Sequence, residues 1–168
     1  MLLSRSVLFA VLLMGIPLPA QEPAGGRPPE TVFLRLNLGG GQATQDGARH
    51  GNLELGGDLL LSANASQRYG LRVSSLDLDV GGRHERYLCT GVVLEMVVHR
   101  WLRMEIGTVG FIGRGDRSGT NPFGLVSFVG YEKRAGALTW SIGYDSKYVF
   151  GRPAITVNNL GIGVGVHF

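Results

Sequence analysis

Apolar and polar residues alternate along most of the chain, and the clearest run is the last one. From Asn159 to Phe168, Leu160, Ile162, Val164, Val166 and Phe168 alternate without a break against Asn159, Gly161, Gly163, Gly165 and His167. A period of two places the apolar set on one face of a strand, whereas a helical period of roughly 3.6 would scatter it around the axis. The same pattern recurs upstream. Val32, Leu34, Leu36 and Leu38 oppose Phe33, Arg35, Asn37 and Gly39, and Leu53, Leu55, Leu59 and Leu61 oppose Asn52, Glu54, Gly56 and Asp58. Two further apolar faces are Leu88, Thr90, Val92, Leu94, Met96 and Val98, then Leu102, Met104, Ile106 and Ile112, with Glu95, Arg103 and Glu105 on the other side. Strands are also predicted over 123–132 and 138–149, the second carrying Trp140, Ile142 and Tyr144 on one face. In 69–80 the parity changes, because Leu71 and Val73 fall on one side and Leu76, Leu78 and Val80 on the other. A slip at Ser74-Ser75 is the expected sign of a β-bulge or an early strand end.

The connections fit this count. Polar loops are predicted at 39–51 and 113–122, turns at 81–85 and 133–137, a lead-in at 150–156 and a short joint at 99–101. The predicted fold is all-β: an antiparallel up-and-down transmembrane β-barrel of about eight strands, the even number that leaves both termini on one side. With the N-terminus in the periplasm, the loops at 39–51 and 113–122 fall outside and the joint at 99–101 inside, the asymmetry expected of such barrels. Trp101, Tyr131, Trp140, Tyr148 and Phe168 lie near strand ends, where they form interfacial girdles or simply pack.

Composition narrows the picture. Arg5 precedes the apolar run Val7 to Ile16, and Pro17-Leu-Pro-Ala20 follows, which reads as a secretory signal peptide over 1–20. The run is short of the roughly 20 apolar residues that span a bilayer as a helix. Residues 21–30, with Pro23, Gly25, Gly26, Pro28 and Pro29, are a flexible periplasmic lead-in, and the barrel occupies 31–168. Of 16 basic and 13 acidic residues only Arg5 leaves with the signal peptide, so the mature chain is near neutral and gives no reason to expect a nucleic-acid partner. Cys89 is the single cysteine and excludes an internal disulfide. Closing a sheet on itself is another way to hold an exported domain together.

A soluble barrel with a ligand cavity is the rival fold, with its apolar face turned inward. The polar face here carries glycines with Arg35, Glu54, Asp58, Glu95, Arg103, Glu105, Asp145 and Lys147. Small residues and opposed charges suit the narrow filled interior of a small membrane barrel, whereas the soluble alternative would expose row upon row of Leu, Val and Ile. The interior is therefore expected to be a salt-bridged plug and not an open pore. His50, His84, His99 and His167 are scattered without metal-ligand spacing, and neither a nucleophile elbow nor a phosphate-binding loop is present, so no metal or cofactor is expected. Arg114-Gly115-Asp116 spells an adhesion tripeptide, but a solvated polar turn explains it as well.

The C-terminus resembles that of bacterial outer-membrane β-barrels, which end in a Gly, an apolar residue and a terminal Phe at the spacing of Gly163, Val166 and Phe168. The resemblance implies the outer membrane as location, contact with its lipids, and recognition of these three residues by the barrel assembly machinery. A second resemblance covers about Trp101 to Phe168. Gly-Thr-Asn-Pro at 119–122, a strand pair, a Pro- and Asn-containing connection and a Gly-rich last strand ending in Phe look like the lipid A 3-O-deacylases, small barrels also known as acyloxyacyl hydrolases. That family implies a His-x-Ser-Asn motif on the penultimate strand and an acidic residue at the head of the last one. Here the matching stretch is Tyr144-Asp145-Ser146-Lys147, with Asn158 near the acidic position. Ser146 matches the nucleophile, Tyr144 stands where the base would be and Lys147 where the oxyanion-supporting Asn would be. A serine needs a neighbouring base, and a tyrosine ionising near pH ~10 is a weak one. The expected role is therefore non-catalytic, in envelope structure, lipid contact or surface display, with hydrolysis of a lipid A acyl ester in lipopolysaccharide as the alternative. Lys147 is the candidate for contact with a lipid phosphate.

Overall fold

The computed structural model describes residues 32–64, 66–80, 83–99, 101–114, 122–151 and 154–168. The strands are β1 (Val32–Gln45), β2 (Ala48–Asn64), β3 (Gln67–Val80), β4 (Arg83–His99), β5 (Leu102–Arg114), β6 (Phe123–Ala135), β7 (Leu138–Val149) and β8 (Ile155–His167). They pair antiparallel in chain order and β8 returns to β1, so the sheet closes and has no edge. The expected signal peptide over 1–20 and lead-in over 21–30 lie outside the described residues, as do Gly-Thr-Asn and the last two residues of the tripeptide that starts at Arg114.

Three expectations need correction. The stretch 39–51 is not a loop: β1 continues to Gln45 and β2 starts at Ala48. Only Asp46 and Gly47 turn the chain, with φ of 50° and 81°, the two successive left-handed residues of a tight hairpin that Asp-Gly favours. The strands stay paired there although the sequence is polar, because ladder hydrogen bonds do not need an apolar face. Nor does β3 bulge at Ser74-Ser75, since its registers with β2 and β4 run unbroken through both residues. The parity change marks a change in what fills the lumen: Arg72 and Ser74 point in, and next Leu76 and Leu78 do so too. Finally, β8 begins at Ile155 and β6 runs on to Ala135, so both are longer than their apolar patterns.

Inside, the barrel is layered. Near the end where β1 begins and β8 finishes, Phe33 stacks on His167 with ring centroids 4.3 Å apart, and Leu60 is buried. Arginines, carboxylates and a lysine fill the middle. Toward the opposite, distal end, Leu76, Leu78, Tyr87, Phe111, Val149 and Ile155 close together around only about 10 Å³ of free space.

Outside, Leu36, Leu55, Leu160 and Val164 are 66%, 62%, 65% and 58% exposed, part of a belt of apolar side chains around the barrel. Aromatic clusters flank it on β6, β7 and the residues next to them. Trp101, Tyr131 and Trp140 form one near the termini, and Phe123, Tyr148 and Phe150 form the other. Phe123 and Tyr131 on β6 are eight residues apart, which at about 3.3 Å per residue and a tilt of about 40° separates the clusters by about 20 Å along the axis.

Inward glycines make the packing possible. A Cβ on Gly143 would overlap the Val129 carbonyl oxygen and stand 2.5 Å from the Phe128 ring, whereas one on Gly51 would meet nothing within 4 Å. Gly143→Val should cost about 1–3 kcal/mol of stability, read from urea unfolding in lipid vesicles by tryptophan fluorescence. Gly51→Ala should unfold like the parent.

Candidate functional site

Two places bring polar side chains together: the middle of the lumen and a patch on the outer wall. In the lumen, strand alternation delivers the charges and glycines on neighbouring strands leave room for them. A Cβ at Gly163, for instance, would lie 2.7 Å from both Asn37 Oδ1 and Ser141 Oγ.

Arg35 is the hub. Its Nη1 meets Glu95 Oε2 at 2.5 Å, and its Nη2 meets Asp58 Oδ2 at 2.6 Å and Glu105 Oε2 at 3.0 Å. Arg72 approaches the same two acids from β3, with Nε 2.7 Å from Asp58 Oδ1 and Nη1 2.7 Å from Glu105 Oε1. Arg68 joins Glu95 at 2.5 Å to Glu132 at 3.3 Å. Arg103 donates from Nη1 to Ser141 Oγ at 3.1 Å and lies 3.8 Å above the Phe128 ring centroid. Lys147 Nζ pairs with Glu54 Oε2 at 2.6 Å and with Asp145, while Ser74 Oγ donates to Glu54 Oε1 at 2.6 Å.

Buried charges are tolerated only when paired and hydrogen-bonded, and here Glu54, Asp58, Glu95, Glu105, Glu132 and Asp145 each have a cationic neighbour. The cavity left beside Arg72, Arg103, Asp145 and Lys147 measures about 40 Å³, room for a water molecule or so and not for a solute. Both the charged and the apolar layer obstruct the lumen.

The expected lumen charges all point inward. The sequence reading missed Arg68, Arg72 and Glu132. Arg72 was legible as the inward neighbour of Leu71 and Val73, but the parity change that follows hid it. Arg68 and Glu132 sit near strand ends, where the apolar pattern has run out.

On the outer wall, Ser146 and Asn158 face each other across β7 and β8, and Ser146 Oγ donates to Asn158 Oδ1 at 3.0 Å. Ser127 on β6, which the sequence reading did not single out, is the ladder partner of Ser146 on its other side. Tyr144 is exposed on the same face, two residues before Ser146 and opposite Leu160. No histidine joins them: His167 is inside, hydrogen-bonded through Nε2 to Thr139 Oγ1 at 2.7 Å, and His50, His84 and His99 lie elsewhere on β2 and β4. Lys147 is not positioned for a lipid phosphate. Its position on β7 turns it into the lumen, where it is 1% exposed between Glu54 and Asp145. In the final strand Gly163 faces the lumen, whereas Val166 and Phe168 face outward, and the Phe168 amide donates to the Val32 carbonyl at 3.0 Å.

Neither a family model nor a curated protein matches the sequence. Solved structures do match the fold. The crystal structure of Neisserial surface protein A superposes with a TM-score of 0.62 at 11% identity, covering 82% of this chain and 97% of that one. A de novo designed transmembrane β-barrel gives 0.51 at 12% identity, covering 86% and 100%. At such identities the likeness establishes architecture alone: a closed, antiparallel eight-stranded barrel, as the sequence pattern predicts.

Removing the hub leaves Asp58, Glu95 and Glu105 short of a counter-charge inside the barrel. Arg35→Met should therefore destabilise the folded barrel by about 3–5 kcal/mol in vesicle-based urea titrations. Arg86→Met removes only the exposed pair with Asp77 and should leave the unfolding midpoint where it was.

Proposed function

We propose that the protein is a bacterial outer-membrane β-barrel with a non-catalytic role in envelope structure, lipid contact or surface display. Residues 1–20 serve as its export signal, 21–30 as its lead-in, and Gly163, Val166 and Phe168 as its signature for the barrel assembly machinery. The observation that carries this reading is the outer wall. Its apolar side chains are exposed all round, and about β6 and β7 they lie between two aromatic clusters about 20 Å apart, close to the ~25 Å apolar band of outer-membrane barrels. An exterior of this kind suits hydrocarbon and not water. A closed sheet leaves no backbone group without a partner there. The filled lumen argues against a channel.

Surface display gains support from the distal end, where the β1–β2 hairpin extends polar side chains past the belt and the apolar inner layer holds the rim together.

A second reading, hydrolysis of an acyl ester on lipid A, draws on one observation: Ser146, Asn158 and Tyr144 share an outward face within reach of lipid. Its weakness is the proton. Ser146 donates to an amide oxygen, which is not a base, and the Tyr144 hydroxyl makes no hydrogen bond to Ser146 among the described residues.

Mass spectrometry of lipid A from matched cells separates the two readings. The profile should be the same with the parent chain, with Ser146→Ala and without the protein, while fractionation finds the chain in the outer membrane. Loss of one acyl chain that depends on Ser146 would favour the hydrolase. Planar-bilayer recordings should show no conductance, and discrete channel openings would contradict the closed lumen.

A further inference from the structure

The outer wall is not uniform around the barrel. On β1 to β3 it is built from Leu and Val, with Tyr69 as its one exposed aromatic among the described residues. From the end of β4 to the start of β7, at the end of the barrel where β1 begins and β8 finishes, it is aromatic. The Trp101 and Tyr131 rings stand 6.3 Å apart, Tyr131 and Trp140 5.3 Å apart, and His99 meets Trp101 edge-on at 5.6 Å.

One step beyond these rings comes a cation. Lys133 is the ladder partner of Trp140 and lies two residues past Tyr131 on the same outward face. It is exposed and has no ion-pair partner among the described residues. The next residue, Arg134, is exposed as well, with its Nε donating to the Gly136 carbonyl at 2.8 Å. Every side-chain carboxylate among the described residues lies either in the lumen or toward the distal end, so none on this stretch of wall competes for Lys133.

Aromatic rings with polar tips settle at the boundary between headgroups and acyl chains. A lysine just outside that boundary stands at the height of the lipid phosphates and attracts negative charge there. We propose that this patch binds the headgroup of an anionic phospholipid, with Lys133 at the phosphate and the rings of Trp101, Tyr131 and Trp140 against the glycerol and the first acyl carbons. The assignment rests on the membrane reading above and adds a lipid class and a location to it. A zwitterionic lipid also offers a phosphate, but its own cation offsets that charge, so only an anionic headgroup gives Lys133 a net counter-charge, and a soluble acidic peptide would make no use of rings at acyl height.

The chain has two tryptophans, and both belong to the patch, so fluorescence reports on it without a label. The protein is folded into phosphatidylcholine vesicles in which a minor fraction of the lipid is brominated, either phosphatidylglycerol or phosphatidylcholine. Brominated phosphatidylglycerol should quench more strongly, in proportion to a local enrichment of about fivefold for one cation near the surface. Lys133→Gln should make the two lipids equal, and Lys133→Arg should keep the difference. Equal quenching in the parent protein overturns the proposal, as does a preference that survives in Lys133→Gln. Absence of quenching by either lipid overturns the membrane reading, and the headgroup site falls with it.

Discussion

The structure depends on filling a narrow closed sheet. A small barrel has no space for solvent along its axis, so what the inward positions carry must neutralise and pack itself. Arg35 does most of this in the middle layer, holding Asp58, Glu95 and Glu105 on three other strands with one guanidinium. The planar fork of arginine suits this, because its donors diverge in fixed directions and satisfy several carboxylates at once. Arg72 doubles the contact to two of the same acids, while Arg68, Arg103 and Lys147 pair with the other carboxylates of the layer.

The distal layer solves the same problem differently. Beyond the apolar belt the strands continue, and their inward residues become mostly Leu, Val and aromatic, with Glu85 accepting a hydrogen bond from Tyr87 among them, while outward residues such as Asp77, Asp79 and Arg86 become charged. The wall therefore inverts along its length: apolar outside and polar inside through the belt, polar outside and apolar inside past it. An inversion of this kind is expected where a barrel leaves hydrocarbon for water, since each medium selects the outward set and the inward set has only to pack. It accounts for the parity change in β3 without any break in hydrogen bonding.

Much of this was legible in the sequence because period-two alternation is a strong signal wherever one face is apolar. The barrel class, the strand count and the inward placement of Arg35, Glu95, Glu105 and their neighbours all followed from it. Where the apolar face ends, the signal ends too, and 39–51 looked like a loop although Asp46-Gly47 marked the turn. Ser74-Ser75 looked like a slip because one parity was assumed to stay polar throughout. On the outer wall, Tyr144 and Ser146 share the parity of Trp140 and Ile142 and do face outward, whereas Asn158 was legible only as a position near the head of the last strand. What parity could not show was that Ser146 and Asn158 are direct ladder partners, with Ser127 beside them, because register is set between strands. The inward turn of Lys147 followed from the same parity, which sets it among the lumen charges and against the motif resemblance that offers it to a lipid phosphate.

On the membrane reading, the even-numbered residues of β8 from Leu160 on face hydrocarbon, while the odd-numbered ones face a filled lumen. A nitroxide scan from Leu160 to His167 in lipid vesicles tests this most directly, by measuring collision with oxygen, which partitions into lipid, and with a water-soluble nickel chelate. The prediction is an alternation of period two, with Leu160, Ile162, Val164 and Val166 reached by oxygen and not by nickel, and the intervening inward sites shielded from both. Outward sites reached freely by the nickel chelate would mean that the belt stands in water, and would contradict the account.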